Sequence, residues 1–279
     1  MNSATSLETH GMPQIRHAPV TNTENLHAAA KTVGFPAVLK TRRRGTTGKA
    51  KPESTARASL PMPGARLKKH RRFLSFIDFE REISVLLARD LDGNIRFHPI
   101  AENIHRRHIL YTSRVPAEIV SRAEALGARI ATALGHIGMM AIELFVTREG
   151  DFLVNEIAPR THNSGHYTFG ACATSQFEQH VRAICGLPIG DAALLRPAVM
   201  LNLLGDLWAD GSPDWSMVLS HPAARLHLYG KGRPSPGRKM GHVLILGEDA
   251  NQADSITETI AATLGTGLAK QPKERAWTS

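Results

Sequence analysis

Apolar residues recur along the chain with two periods. Spacings of three and four predict helices at 23–33 (Leu26, Ala29, Ala30 and Val33 on one side), 116–137 (Ile119, Ala123, Leu126, Ile130, Ala133, Leu134), 175–184 and 250–264. Thr23 and Ser175 are placed as N-caps, Ser175 with Glu178 in a capping box, and Gly34, Gly135 and Gly186 as stops. Alternation and short apolar runs predict strands at 36–40, 82–89, 95–100, 139–147, 198–204, 225–229 and 242–247. Residues 50–75 show no apolar period and are expected to be irregular. Glu102, Asn103 and His105 read as a polar cluster in a loop after a strand.

The most informative stretch is a hairpin. In 139–147, Ile142, Leu144 and Val146 point one way and Ala141, Glu143 and Phe145 the other; after the turn at 148–151, Phe152, Val154 and Glu156 share a face. Pairing Thr147 with Phe152 across the turn sets Glu143 opposite Glu156 on one face. Like charges so placed are destabilising, and burial in apolar strands raises the cost. A hard cation with oxygen ligands relieves both, and magnesium suits such a pair. The alternative is an exposed sheet edge with both carboxylates in water.

Composition narrows the partner. The 279 residues, 42% hydrophobic and 21% charged, suit one large or two modest globular domains. No apolar run is long enough to span a membrane, and the first residues lack a signal-peptide layout, so a cytoplasmic protein with no membrane partner is expected. Cys172 and Cys185 lie in apolar contexts and read as reduced core residues. The net charge of +9 is concentrated at 40–51 with 66–72, and at 231–239. No aromatic interleaving or nucleic-acid motif accompanies it, which favours phosphorylated metabolites over nucleic acid. A strand ending at Lys40, followed by Gly45, Gly48 and Lys49, can present amides and ammonium groups to a polyphosphate, although the glycine spacing is not that of a Walker loop; a merely solvated basic loop is the alternative.

Longer segments carry a resemblance. NEIAPRTHNSGHYT (155–168) and TSQFEQHVRAICGLPIGD (174–191), with FPAVLKTRR (35–43), FEREISVLLAR (79–89), AENIHRRHIL (101–110) and GRKMGHVLIL (237–246), resemble the 5-(carboxyamino)imidazole ribonucleotide synthases, a family of ATP-grasp ligases in purine biosynthesis. The resemblance implies an α+β ATP-grasp fold. It also implies a reaction in which ATP activates bicarbonate as carboxyphosphate and 5-aminoimidazole ribonucleotide captures the carboxylate. The implied cofactors are ATP and Mg²⁺, and the family's usual assembly is a homodimer. Glu143 and Glu156 match the metal pair, flanked by Asn155. Arg160, His162 and Asn163 match the bicarbonate loop. Lys40 and Lys49 match phosphate-contacting lysines, Glu82 a ribose-contacting carboxylate, and Lys231 and Arg238 the grip on the ribonucleotide phosphate. The expected organisation is a disordered start at 1–12, an ATP-grasp N-terminal subdomain at 13–110 (irregular at 50–75), a C-terminal subdomain at 111–195 carrying the metal and bicarbonate site, and a small β-rich subdomain at 196–279.

Two departures stand out. Family members begin with a Rossmann-like domain, which residues 1–12 replace here, so one wall of the site is expected to be missing. Residues 44–75 lack the family's glycine-rich loop and adenine-binding strand, which is expected to weaken ATP binding by on the order of 3 kcal/mol, about a hundredfold. A non-catalytic degenerate fragment or paralogue retaining the fold is the competing reading. The formate-using transformylases, another ATP-grasp group, fit 160–166 less well.

Overall fold

A computed structural model describes residues 11–20, 23–34, 37–41, 55–56, 71–75, 77–106, 109–117 and 121–266. The chain divides into two compact units, residues 13–79 and, with 1–12, residues 80–279.

In the first unit, β1 (His17–Val20), β2 (Ala37–Thr41), β3 (Thr55–Ala56) and β4 (Arg71–Ser75) form an antiparallel sheet in the order β1-β4-β2-β3. Helix α1 (Thr23–Val33) turns Leu26, Ala29, Ala30 and Val33 into a core with Ala18, Val20 and Ala37, as its periodicity predicts. The irregular stretch expected at 50–75 is corrected at both described places: 55–56 and 71–75 are strands. β4 lies between β1 and β2, so its backbone groups are satisfied on both sides by ladder bonds that need no apolar alternation.

The second unit is built on an antiparallel sheet. Its strands among the described residues are β5 (Arg81–Arg89), β6 (Ile95–Phe97), β7 (Ala101–Arg106), β8 (Ile109–Val115), β9 (Gly138–Val146), β10 (Phe152–Ala158), β11 (Ala198–Leu204), β12 (Ala224–Leu228) and β13 (Lys239–Leu246). They run β10-β9-β5-β7-β8-β11-β13-β12, with β6 beside β5. The register of β8 on β11, Val115 to Ala198 and Ser113 to Met200, makes the sheet continuous across 110/111 and 195/196. One face buries Ile83, Val85, Met140, Ile142, Leu144, Phe152 and Val154 under α2 (Ser121–Ala133). Met12 joins this core, which corrects the expectation of disorder at the described end of 1–12. The other face buries Leu86, Ala88, Met139, Ala141, Met200 and Leu244 with Tyr167 and Cys172.

Helix α2 ends at Ala133, short of the predicted 137, because Gly135 adopts φ 57° and the Gly135 and His136 amides turn back to Thr132 and Ala131. Helix α3 (Gln176–Ile184) is capped by Ser175, whose hydroxyl accepts the Glu178 N–H at 3.2 Å; the Glu178 carboxylate pairs with Arg182 at 2.8 Å instead of closing the box. Helix α4 (Ala250–Thr263) starts on the Asp249 cap.

The cysteines differ from expectation. Cys172 is buried, its thiol pushed up to about 12 by burial, but Cys185 is exposed at the end of α3, where the apolar stripe of the helix runs out into solvent. One thiol per native chain is therefore expected to react rapidly with a disulfide reagent and two after denaturation; two fast thiols in the native protein would contradict the structure.

His98 is 1% exposed, and neither ring nitrogen has a hydrogen-bond partner among the described residues; burial lowers its pKa to about 4. The unfolded chain then binds more protons than the folded one between about pH 6.5 and 4. Stability present above the unfolded value is lost as the pH falls through that window, by about 3 kcal/mol from this one group. His98→Leu is expected to flatten the acid side of a denaturation-midpoint profile; an unchanged acid limb would refute the assignment.

Candidate functional site

The face that buries Leu86 and Ala141 turns polar towards one end of the sheet, with a polar residue from each strand of the main path. Following the register, these are Glu156 on β10, Glu143 on β9, Glu82 and Ser84 on β5, Asn103 on β7, Ser113 on β8, Asn202 on β11, His242 on β13 and His227 on β12. The Asn103 amide donates to Ser84 Oγ at 2.7 Å and accepts from Ser113 Oγ at 2.7 Å. The Asn202 amide donates to the Leu110 carbonyl at 3.0 Å. Such bonds fix the floor by satisfying its buried polar groups.

Glu143 and Glu156 are cross-strand partners, as predicted, but by another route. Near the turn Phe152 faces Val146 and Val154 faces Leu144, one residue off the predicted register. A bulge between Val154 and Glu156 then restores the pairing. The predicted common face is corrected accordingly: Phe152 and Val154 belong to the α2-side core, and Glu156 is turned to the opposite face beside Glu143. Asn155 is the extra residue of the bulge, so simple alternation does not govern its direction. Glu143 is 8% exposed and Glu156 is exposed. Burial, then the charges of Glu82 and Glu156, raise the pKa of Glu143. Carboxylates crowded in this way suit a divalent cation, so the donors present fit the magnesium implied by the resemblance.

The loop after β10 closes over the carboxylates. His162 is buried with Nε2 3.6 Å from Glu143 Oε1, and its Nδ1 lies 2.9 Å from Ser164 Oγ. Asn163 exchanges amide hydrogen bonds with Asn202 at 2.8 and 3.0 Å and bonds to Tyr229. Gln176 at the start of α3 holds the loop: its Oε1 accepts the His162 N–H at 2.9 Å and its Nε2 donates to the His162 carbonyl at 2.8 Å. Gly165 sits under this clasp, where a Cβ would lie 2.3 Å from Leu86 Cδ2 and 2.6 Å from Gln176 Oε1. Arg160 is exposed, its guanidinium donating to the Thr161 carbonyl at 2.8 Å.

Beyond Asn163 the floor becomes aromatic. The Tyr229 hydroxyl lies 2.8 Å from His242 Nδ1, and His242 stacks on His227 at 4.5 Å and lies 5.1 Å from His166. Burial lowers the pKa of His166 to about 4 and of His242 to about 3, so both are neutral near pH 7. Lys231 lies 4.9 Å from the Tyr229 ring, and partial burial and the charge of Arg238 lower its pKa. Both cations are exposed and held by backbone carbonyls, Lys231 by that of Lys239 at 2.6 Å and Arg238 by that of Arg233 at 2.5 Å. Two neighbouring cations of this kind suit a phosphate group.

The structure thus brings Glu143, Glu156, Glu82, His162 and Asn163 together. Lys40 lies on β2 of the other unit, and Lys49 lies outside the described residues. Glu82, matched by resemblance to a ribose contact, has Oε2 3.1 Å from His105 Nδ1 and adds to the charge around Glu143. The expected loop placement of Glu102, Asn103 and His105 is corrected: all three lie on β7. Sequence reasoning passed over Ser84, Ser113, Asn202, His242 and Gln176. A single polar residue inside an apolar run was the available signal for Ser84, Asn202 and His242; Ser113, between Thr112 and Arg114, and Gln176 had none.

The ATP-grasp domain family matches residues 5–177, and the phosphoribosylaminoimidazole carboxylase C-terminal domain matches 198–256. The chain belongs to the ATP-grasp family. It is 40% identical over 246 residues to the N5-carboxyaminoimidazole ribonucleotide synthase of Bacillus subtilis, an alignment covering 86% of this chain and 64% of that protein. The structure of an ADP complex of an N5-carboxyaminoimidazole ribonucleotide synthetase superposes with a TM-score of 0.81 at 34% identity, over 96% of this chain and 71% of that one. The Aspergillus clavatus synthase in complex with ADP and 5-aminoimidazole ribonucleotide gives 0.78 at 26% identity, over 94% and 72%. Within the ATP-grasp family, the chain therefore falls among the N5-carboxyaminoimidazole ribonucleotide synthases, and it spans just under two thirds of the length of the Bacillus relative. Among the described residues no helix is long and apolar enough to cross a membrane.

Proposed function

We propose that the chain carboxylates 5-aminoimidazole ribonucleotide on its exocyclic amine, using ATP and bicarbonate. The observation that carries this reading is the facing of Glu143 and Glu156 beneath a loop that seats His162 against Glu143 and ties Asn163 to Asn202, on a floor leading to Lys231 and Arg238. A bicarbonate oxygen takes the γ-phosphoryl group of ATP, giving carboxyphosphate and ADP. The substrate amine then attacks the carboxyl carbon, phosphate departs, and the amine loses a proton.

Glu143 and Glu156, with Asn155 beside them, would hold Mg²⁺, which when bound neutralises charge on the ATP phosphates. Arg160, His162 and Asn163 orient the bicarbonate and the anion formed from it, and rigid donors favour the more highly charged state. Lys231 and Arg238 take the ribonucleotide phosphate, while Lys40 and Lys49 serve the phosphates of ATP. Gln176, Asn202 and Tyr229 act as positioning residues, fixing where His162 and Asn163 stand.

The test is ADP release at millimolar ATP, in the full chain, with each substrate omitted in turn. Release that requires both bicarbonate and 5-aminoimidazole ribonucleotide is expected. Absence of release, or release indifferent to the ribonucleotide, would defeat the proposal.

A further inference from the structure

We infer that Glu82, His105 and Glu143 form a site for a divalent cation of the Mn²⁺, Co²⁺ or Zn²⁺ class, distinct from the Glu143 and Glu156 pair and able to fill in the absence of nucleotide. The three residues come from adjacent strands, β7, β5 and β9, and each offers one ligand atom such that all three lie within 4.8 Å of one another. Metal bonds of about 2.0–2.2 Å set tetrahedral ligands of one ion about 3.3–3.6 Å apart, so side-chain shifts of up to about an ångström close the site.

The surroundings argue for an ion. Glu82 is 7% and Glu143 8% exposed, two like charges removed from water in one place. His105 Nδ1 is fully buried and lies 3.1 Å from Glu82 Oε2, yet at an angle that makes no hydrogen bond. An imidazole nitrogen poised beside two carboxylates without spending its hydrogen bond on either is the arrangement a metal completes. The neighbouring Asn103 amide, bonded to Ser84 and Ser113, fixes the floor between β5 and β8, while His162 Nε2, 3.6 Å from Glu143 Oε1, and the charges of Glu156 and Lys239 act on the cluster from its other side.

The nitrogen donor sets the metal class. Mg²⁺ takes oxygen ligands and keeps its waters, whereas imidazole with carboxylates suits borderline first-row cations. Because Glu143 belongs to both sites, an ion held by His105 draws that carboxylate away from the opposed pair. Micromolar Co²⁺ or Zn²⁺ is thereby expected to antagonise the Mg²⁺-dependent state.

The inference does not rest on the proposed carboxylation, since it is read on the protein alone. The metal-free full chain is titrated with CoCl₂ without nucleotide, following visible d–d absorption and heat. One saturable equivalent with nitrogen-ligand absorption is expected. His105→Ala and His105→Gln should each weaken binding at least about tenfold with unchanged circular dichroism, and Glu156→Gln should leave it within about twofold. No saturable binding up to about 1 mM would overturn the inference. So would binding that survives both folded His105 variants, or that is lost in Glu156→Gln, since the ion would then belong to the opposed pair. If Co²⁺ binds as expected and ADP release is absent, only the carboxylation reading fails.

Discussion

Glu143→Gln is expected to abolish ATP-dependent turnover, by on the order of a thousandfold or more, while making the protein harder to melt. If the pair holds the metal as proposed, removing one of its carboxylates discards several kcal/mol of charge stabilisation for the transferring phosphoryl group, and each 1.36 kcal/mol is tenfold in rate. The stability effect has the opposite sign. Glu143 is buried beside Glu82 and Glu156, and its pKa lies above the ordinary 4.5. A carboxyl raised on folding is protonated in both states near pH 4 and costs nothing there; the cost grows as the pH rises through the window between its unfolded and folded values. The neutral amide avoids it, so the variant should melt roughly 2–4 °C higher at pH 8 for each kcal/mol gained and show no advantage near pH 4. Glu156→Gln, on the exposed partner, should lose turnover with little change in melting. Differential scanning fluorimetry at the two pH values and single-turnover ADP formation check both halves. A Glu143→Gln protein that melts lower at pH 8, or retains a tenth of the activity, would refute this account of the pair.

Gln176→Leu should give the next largest effect. This side chain is fully buried and bonds both backbone groups of His162 and the ring of His166. Leucine leaves a buried N–H and a carbonyl without partners, at about 1–3 kcal/mol each, so destabilisation of about 3 kcal/mol is expected. With the clasp gone, the loop that sets His162 3.6 Å from Glu143 relaxes. A displacement of about 1 Å is enough to lower kcat/KM for bicarbonate on the order of a hundredfold. ATP affinity, measured by calorimetry, should stay within a few fold because Gln176 touches only the loop. A proportional loss in ATP binding would mean that the variant had damaged the fold as a whole.

The opposed glutamates illustrate how much could be read from the chain. Alternation placed each carboxylate on an apolar strand, and a short turn brought the strands together, so the juxtaposition was legible. The route was not: Val146 faces Phe152, and only the bulge at Asn155 returns Glu156 to the side of Glu143. A bulge is a choice the ladder makes when one more residue lets both faces satisfy their burial, and Asn155 carries no mark of it. Strand β4 was missed for a related reason. Its ladder partners β1 and β2 come from elsewhere in the chain, and backbone pairing needs no apolar period. Cys185 was placed in the core because its neighbours are apolar, yet the end of α3 leaves Ile184, at 50% exposed, in solvent beside it.

What the sequence determined by itself is the set of elements with strong periods: helices α1, α3 and α4, the central strands, and the two carboxylates placed within them. Those outcomes depend on contacts a few residues apart, where hydrophobic spacing and caps act alone. The tertiary structure decided the rest. It joined residues 198–246 to the strands at 81–146 in one sheet, lined up Ser84, Asn103, Ser113 and Asn202 as a hydrogen-bonded floor, brought His105 beside Glu82, and hung the His162 loop from Gln176. Each of these joins residues far apart in the chain through buried polar groups that must find partners, and which partner is in reach depends on the register and packing of the whole sheet.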